Sequence, residues 1–247
     1  MNLIFDILWL AVIVIYSCVE ALVKLFIPVK RKSVSGEIVL ITGAGHGIGR
    51  LTAYEFAKRH STLVLWDINK HGVEETAERC RKLGARAHAF VVDCSIREDI
   101  YSAAEKTTKM FLPAMMKNNH GHIVTVASAA GHVTVPFLVS YCSSKFAAVG
   151  FHKSLTEELA ALGKDGIKTT CLCPYFINND FLKNLSTRLV PVVEPENVVA
   201  NLMDGILCNQ KMIFVPRSLK WHLLAERYVW WTEDKRAEYI YFFTIVK

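Results

Sequence analysis

The stretch VLITGAGHGIGR, Val39 to Arg50, constrains this chain more than any other part of it. Val39, Leu40 and Ile41 form a short apolar run of the kind that makes a buried parallel strand. Four glycines follow within seven residues, at Gly43, Gly45, Gly47 and Gly49, and helix-compatible sequence then runs from Arg50 to Arg59. Strand, glycine turn and helix in that order bring backbone N–H groups and a helix N-terminus against a phosphate. Only glycine lets the backbone approach that closely. The spacing is T-G-x-x-x-G-x-G, not G-x-G-x-x-G, and by itself it also fits a plain tight strand-to-helix connection.

The sequence downstream favours a nucleotide. Thr62 to Trp66 read as a second strand, ending at Asp67. An acidic side chain about 20 residues past the glycine turn accepts hydrogen bonds from ribose hydroxyls. A carboxylate there also repels a 2′-phosphate, so NAD is expected over NADP. Ala87 to Val92 read as a third strand ending at Asp93, where a short polar side chain reaches an adenine. Asp93 reads equally well as a cap for the run after Ser95. The candidate cofactor contacts are therefore Gly43, Gly47, Ile48, Gly49, Asp67 and Asp93.

The chain has 247 residues, 52% of them hydrophobic, enough for one sizeable α/β core. Its net charge of +6 is scattered apart from Lys30, Arg31 and Lys32, and no nucleic-acid-binding pattern is visible. The seven cysteines sit mostly in apolar strand or helix contexts and read as reduced, buried thiols. Cys171 and Cys173 alternate along one strand without a second pair, so no metal site is expected. The N-terminus differs from the rest. Ile7 to Val19 is uncharged and mostly apolar, Glu20 and Lys24 interrupt, Pro28 stops the run and VKRK follows. A spanning helix needs about 20 apolar residues, and no small-residue cleavage site marks a secretory signal. Residues 1–28 are therefore expected to be a retained anchor in one leaflet, with the basic cluster and the body of the protein in the cytosol.

Further along, Ile123 to Val126 read as a strand, and Ser128 lies just past its C-terminal end, where α/β sites form. Tyr141 opens a helix, with Lys145 at i+4 on the same face. A Tyr-x-x-x-Lys pair occurs by chance in many helices. A Ser, then Tyr-x-x-x-Lys, behind T-G-x-x-x-G-x-G is far more specific. In these motifs the chain resembles the short-chain dehydrogenase/reductase family. KRKSVSGEIVLITGAGHGIGR, LVLWDINK, HIVTVAS, YCSSKFAAVGFH and KMIFVP are similar to its membrane-anchored, lipid-droplet 17-beta-hydroxysteroid dehydrogenases. The resemblance covers residues 1 to about 217. It implies a Rossmann-type, doubly wound parallel sheet over residues 36–217. It also implies an NAD-dependent oxidation of a secondary alcohol on a steroid or other lipophilic substrate. The implied location is the endoplasmic reticulum membrane and lipid droplet, with a homodimer as candidate assembly. Ser128, Tyr141 and Lys145 carry over as the catalytic triad, with Lys145 also holding the nicotinamide ribose. A phenol has an ordinary pKa near 10, so Tyr141 needs the Lys145 ammonium and the positive nicotinamide to favour its anion. Ser128 would donate to the substrate oxygen.

The chain departs from that family between Asp93 and Ile123. The family fits a helix, a fourth strand ending in Asn-Asn-Ala-Gly and a second helix there. CSIREDIYSAAEKTTKMFLPAMMKNNHG holds no strand-like run and reads as the start of one helix joined to the end of another near 105–107. A block of roughly 50 residues is missing from the family pattern, and with it the family's catalytic asparagine. Asn118 and Asn119 read as a helix-ending turn, not as the lost motif. Asn179 stands where the family has a threonine on the nicotinamide amide, and Asp180 follows where it has glycine. Residues 218–247 form an aromatic-rich tail without a family counterpart. One helix is expected over about 97–119, with Pro113 inside it. The Ser128 strand is expected to slide over and pair with the first strand, because unpaired buried ladder groups cost about 1–3 kcal/mol each. That shift of about 4.8 Å would misalign the triad, so activity is expected to be absent or severely reduced. The competing expectation is an inactive membrane-attached chain that acts, if at all, by binding.

Overall fold

The computed structural model describes residues 3–26, 29–93, 100–135, 137–178, 192–221 and 223. The chain divides into two compact units, Met1–Lys32 and Ser33–Lys247. The first holds helix α1, Leu3–Phe26. Its apolar side chains from Phe5 to Val23 are exposed wherever they are described, so no core of its own covers them. No helix among the described residues is long and apolar enough to cross a membrane.

The second unit alternates strands and helices. Strand β1 is Ile38–Thr42, followed by α2 Gly47–Ala57, β2 Thr62–Asp67, α3 Lys70–Lys82 and β3 Arg86–Val91. Then come α4 Ile100–Asn118, β4 Gly121–Val126, α5 Val139–Ala161, β5 Ile167–Pro174, α6 Pro195–Leu207 and β6 Met212–Val215. Local chemistry sets the boundaries. Asn69 caps α3 by accepting a hydrogen bond from the Gly72 N–H at 3.0 Å. Arg79, Arg81 and Lys82 complement the dipole at its C-terminal end. Pro195 sits in the first turn of α6, where its missing N–H costs nothing. The single helix expected over 97–119 is present from Ile100 to Asn118 with Pro113 inside it. Its expected start near Arg97 lies outside the described residues.

The strands form two three-stranded parallel sheets, β1-β2-β3 and β4-β5-β6. Among the described residues no ladder joins β1 to β4. The expected sliding of the Ser128 strand onto the first strand therefore does not occur, and the shift of the triad that would follow from it falls away as well. The physical reason lies in solvent. The penalty for an unpaired ladder group applies when the group is buried, and this slot is open to water. Ile38 on β1 is 76% exposed and Val126 on β4 is 49% exposed. At one end of the slot, His120 Nε2 lies 3.1 Å from Glu37 Oε1, bridging the residues that precede β4 and β1.

Two helical contacts span the slot. On one face α2 packs against α6. Leu202 and Met203 of α6 share one apolar core with Phe56 of α2, Leu65 of β2 and Leu172 of β5. On the other face α4 packs Leu112, Met115 and Met116 into a cluster with Ile123 of β4. The same helix reaches β2, where the rings of Phe111 and Trp66 lie 6.3 Å apart.

Because the core is shared, cutting it should loosen both sheets together. Leu202, 2% exposed, is the test. Leu202→Ala is expected to cost about 2–5 kcal/mol and to lower one cooperative thermal transition seen by circular dichroism. Two separated transitions would mean that the two sheets fold independently.

Candidate functional site

The glycine turn connects β1 to α2, and its backbone explains its composition. Gly43 and Gly47 adopt left-handed conformations, with φ of 66° and 55°. A Cβ on Gly49 would collide with the Gly43 carbonyl, so the third glycine of the motif is fixed by close packing. Gly47, Ile48 and Gly49 form the first turn of α2. The residue capping that turn, His46, makes no side-chain hydrogen bond to it. The first turn of α2 thus has no side-chain cap from His46, and a helix N-terminus of that kind favours an anion.

Asp67 ends β2 beside this turn. Its Oδ2 accepts from the Gly45 N–H at 2.7 Å, and its Oδ1 accepts from the Asn69 N–H at 2.8 Å. The carboxylate is thereby fixed at the edge of the glycine turn. Gly45 leaves no room for a larger residue, since a Cβ there would lie 2.9 Å from the Asp67 carboxylate. Arg50 completes the clamp. Its guanidinium donates to the Gly45 carbonyl through Nε at 3.0 Å and pairs with Glu75 at 3.1 Å. Neither Gly45 nor Arg50 was singled out by the motif spacing. The signal for Arg50 was its place directly after the last glycine, one helical turn from the loop it holds. Asp93 follows β3.

The second half of the site lies past the C-terminal end of β4. Ser128 is buried, accepts from the Ala130 N–H at 3.2 Å and donates to the Pro174 carbonyl at 3.3 Å. Helix α5 begins at Val139, two residues earlier than expected, so Tyr141 and Lys145 occupy its first two turns. They do share a face. The Lys145 ammonium lies 5.6 Å from the centre of the Tyr141 ring. Burial holds that ammonium below the ordinary lysine range, against an opposing effect of the Cys171 and Cys173 thiols. Tyr141 is exposed, and Cys142 turns into the core, as packing requires of it. Beside Tyr141 the chain exposes an apolar run: Phe137 is 99% exposed and Val139 75%.

Lys145 has a partner that the sequence did not foretell. Its Nζ donates to the Val126 carbonyl at 3.3 Å. The next residue, Ala127, donates its N–H to Leu172 on β5. Alternate residues of a strand face opposite neighbours, so the Val126 carbonyl points away from β5, into the slot. Asn179 and Asp180 lie outside the described residues. Among the described residues no group of histidine, cysteine or acidic side chains is arranged to hold a metal ion, and the five described cysteines are free thiols.

Comparison with known proteins places this geometry. The family model for short chain dehydrogenases matches residues 37–111 and again 101–189. Estradiol 17-beta-dehydrogenase 11 of Pongo abelii is 59% identical over 271 residues, covering 92% of this chain and 90% of that protein. The 17-beta-hydroxysteroid dehydrogenase 13 of Homo sapiens is 55% identical over 273 residues, covering 93% and 91%. Identity is thus higher to the type 11 than to the type 13 relative. The 271 aligned positions use only 92% of 247 residues, about 227, so about 44 positions have no partner in this chain. The two segments of the family match meet at 101–111, within α4. Among solved structures, a short-chain dehydrogenase/reductase from Burkholderia phymatum in complex with NAD superimposes with a TM-score of 0.67. It is 19% identical, and the match covers 80% of this chain and 95% of that one. A short-chain dehydrogenase from Sphingobium yanoikuyae in complex with NADPH gives 0.66 at 20% identity, covering 80% and 96%.

Two glycines separate the turn's demands from general helix effects. Gly49→Ala is expected to lower stability by about 1–3 kcal/mol through its collision with backbone. Gly150, within α5, has nothing within 4 Å of an added Cβ. Gly150→Ala is expected to raise stability by about 0.5–1 kcal/mol. Urea titration of both variants checks the contrast; equal and opposite signs reversed would contradict the packing at Gly49.

Proposed function

The chain belongs to the short-chain dehydrogenase/reductase family, and we propose that it is an NAD-dependent oxidoreductase for a secondary alcohol on a steroid or similar lipophilic substrate. The observation that carries this reading is the placement of Lys145 against Tyr141 on α5, with its ammonium on the Val126 carbonyl, two residues before Ser128 at the C-terminal end of β4. Bound NAD would supply the hydride acceptor. Gly43, Gly47, Ile48 and Gly49 would hold its pyrophosphate at the α2 N-terminus, with Asp67 at the adenosine ribose and Asp93 at the adenine. Tyr141 would take the alcohol proton, helped by the Lys145 ammonium, which favours the tyrosinate. The Ser128 hydroxyl would turn from the Pro174 carbonyl to the substrate oxygen. The exposed apolar run at Phe137 and Val139 supports a lipophilic substrate, as do the names of the relatives.

The exposed apolar α1 and the VKRK cluster support attachment of residues 1–28 to the endoplasmic reticulum membrane or a lipid droplet from the cytosolic side. The folded domain would be residues 36–217, as a monomer or a homodimer, and residues 218–247 the atypical tail. A second reading, a membrane-attached chain without turnover, is favoured by one observation. The Lys145 ammonium donates to the Val126 carbonyl, the acceptor left open beside the slot where the relatives' block is missing.

The test is NAD reduction with a lipophilic secondary alcohol. Three forms are compared: this chain, its Tyr141→Phe variant, and a version with the relatives' block restored between Glu105 and Lys106. Turnover that Tyr141→Phe lowers by about 10²–10⁴ supports the enzyme. Turnover only in the restored version supports the second reading.

Cofactor choice has its own readout. Replacing Asp67 with Ser removes the carboxylate that repels a 2′-phosphate, so binding preference, read by tryptophan fluorescence, is expected to move from NAD toward NADP. An unchanged preference would mean that Asp67 is not at the ribose.

A further inference from the structure

Five residues around the glycine turn close a hydrogen-bonded ring: Gly45, Asp67, Asn69, Gly72 and Arg50. The Gly45 N–H donates to Asp67 Oδ2 at 2.7 Å, and the Asn69 N–H donates to Asp67 Oδ1 at 2.8 Å. Asn69 Oδ1 in turn accepts from the Gly72 N–H at 3.0 Å. Arg50 closes the circuit from α2. Its Nη2 reaches the Gly72 carbonyl at 3.5 Å, while Nε and Nη2 donate to the Gly45 carbonyl at 3.0 and 2.5 Å. Glu75, on α3, holds the same guanidinium at 3.1 Å. One side chain of α2 thus ties together the turn after β1, the end of β2 and the start of α3.

Glycine at position 45 creates the need for that tie. A Cβ there would lie 2.9 Å from the Asp67 carboxylate and 3.2 Å from the Val73 nitrogen, so no larger residue fits. Across the ring, a Cβ on Gly72 would lie 2.7 Å from the Gly45 carbonyl. Glycine is also the residue whose φ and ψ its own structure restrains least. Its N–H and C=O belong to two peptide planes that turn independently about those bonds. At Gly45 each group is held from outside, the N–H by Asp67 and the C=O by Arg50. Room for Asp67 demands a residue that cannot hold itself, and Arg50 supplies the restraint. A guanidinium suits the task, because its planar fork donates to several oxygens in one fixed geometry. An ammonium cannot reproduce that fork.

We propose that Arg50 is a specificity-determining positioning residue: acting through Gly45, it fixes the Asp67 carboxylate and so sets the discrimination between NAD and NADP. The inference rests on the reading of Asp67 at the adenosine ribose. A carboxylate offers about four acceptor sites. Backbone N–H groups take one on each Asp67 oxygen, and the others are left, already oriented, for ribose hydroxyls. The same anchoring keeps the negative charge from swinging away from a 2′-phosphate. A loosened Asp67 binds the ribose at greater entropic cost and repels the phosphate less.

Arg50→Lys in the full chain tests this, since it keeps the charge and loses the fork. NAD binding, read by tryptophan fluorescence, is expected to weaken about fivefold, while NADP binding changes by less than about twofold. Equal weakening of both nucleotides overturns the proposal, because it marks a loss of fold and not of discrimination. An unmoved preference overturns it too. Hydrogen exchange of the Gly45 amide gives a readout that needs no nucleotide. It is expected to quicken about tenfold in the variant while the Leu65 amide, in the core, holds its rate; a Gly45 amide that keeps its rate refutes the restraint. If the unaltered chain binds neither nucleotide, the reading of Asp67 at a ribose fails and takes the proposal with it. Binding with an unmoved preference fails the proposal alone. Should Arg50→Lys not fold, Glu75→Gln weakens the hold on the same guanidinium from its exposed end. Gly45 exchange and nucleotide preference are then expected to move in the same directions by smaller factors, and no movement overturns the proposal.

Discussion

The packing of α2 against α6 is the contact on which the rest of this structure depends. A Rossmann-type sheet is ordinarily continuous, and its helices cover what the strands already hold together. Here the strands form two sets of three, and the helices carry the connection. Phe56, Leu65, Leu172 and Leu202 belong to one apolar core, though they come from both sides of the slot. Burying a large apolar side chain contributes about 1.5–3 kcal/mol, whereas a ladder hydrogen bond contributes about 0.5–1.5 kcal/mol net. A few shared core residues therefore outweigh the ladder that a missing strand takes with it. That ranking explains why β4 stays where α5 and α6 place it.

The site follows from the same division. Everything that shapes the glycine turn belongs to the β1–β2 side: the left-handed Gly43 and Gly47, the Asp67 carboxylate on the Gly45 N–H and the Arg50 clamp. Everything that shapes the proposed proton-transfer centre belongs to the β4–β5 side: Ser128 against Pro174, and Lys145 against Val126. Among the described residues, none of these hydrogen bonds crosses from one half to the other. Each is set by contacts at most one or two elements away, so a break between the halves leaves both locally intact.

Much of this was legible in the sequence. The turn at Gly43 to Gly49 and the strand ending at Asp67 were readable because glycine spacing and apolar runs are local signals. The long helix through Pro113 was readable for the same reason. The fate of the slot was not. It depends on whether Ile38 and Val126 stay wet, which depends on helices far away in sequence. The expectation of a closed sheet charged the ladder groups the cost of burial and omitted the alternative of solvating them. Arg50 was missed because an arginine at the start of a helix has no periodic signature. The bond from Lys145 to Val126 was missed because it exists only where a neighbouring strand is absent.

That last bond shows how one cation can serve either fold or ligand. An ammonium in a half-buried pocket must find acceptors, since leaving it desolvated and unpaired costs more than a neutral group would. In a continuous sheet the carbonyl of a central strand is already used by its neighbour, and a lysine at its end is left to reach outward. At an open edge the carbonyl is the nearest acceptor. The Lys145 ammonium sits 3.3 Å from it, and burial holds the group below the ordinary lysine range. Any ligand oxygen that needs Lys145 must compete with that carbonyl. Any strand that pairs with Val126 removes the competition. The availability of Lys145 to a ligand thus turns on a single backbone oxygen, that of Val126.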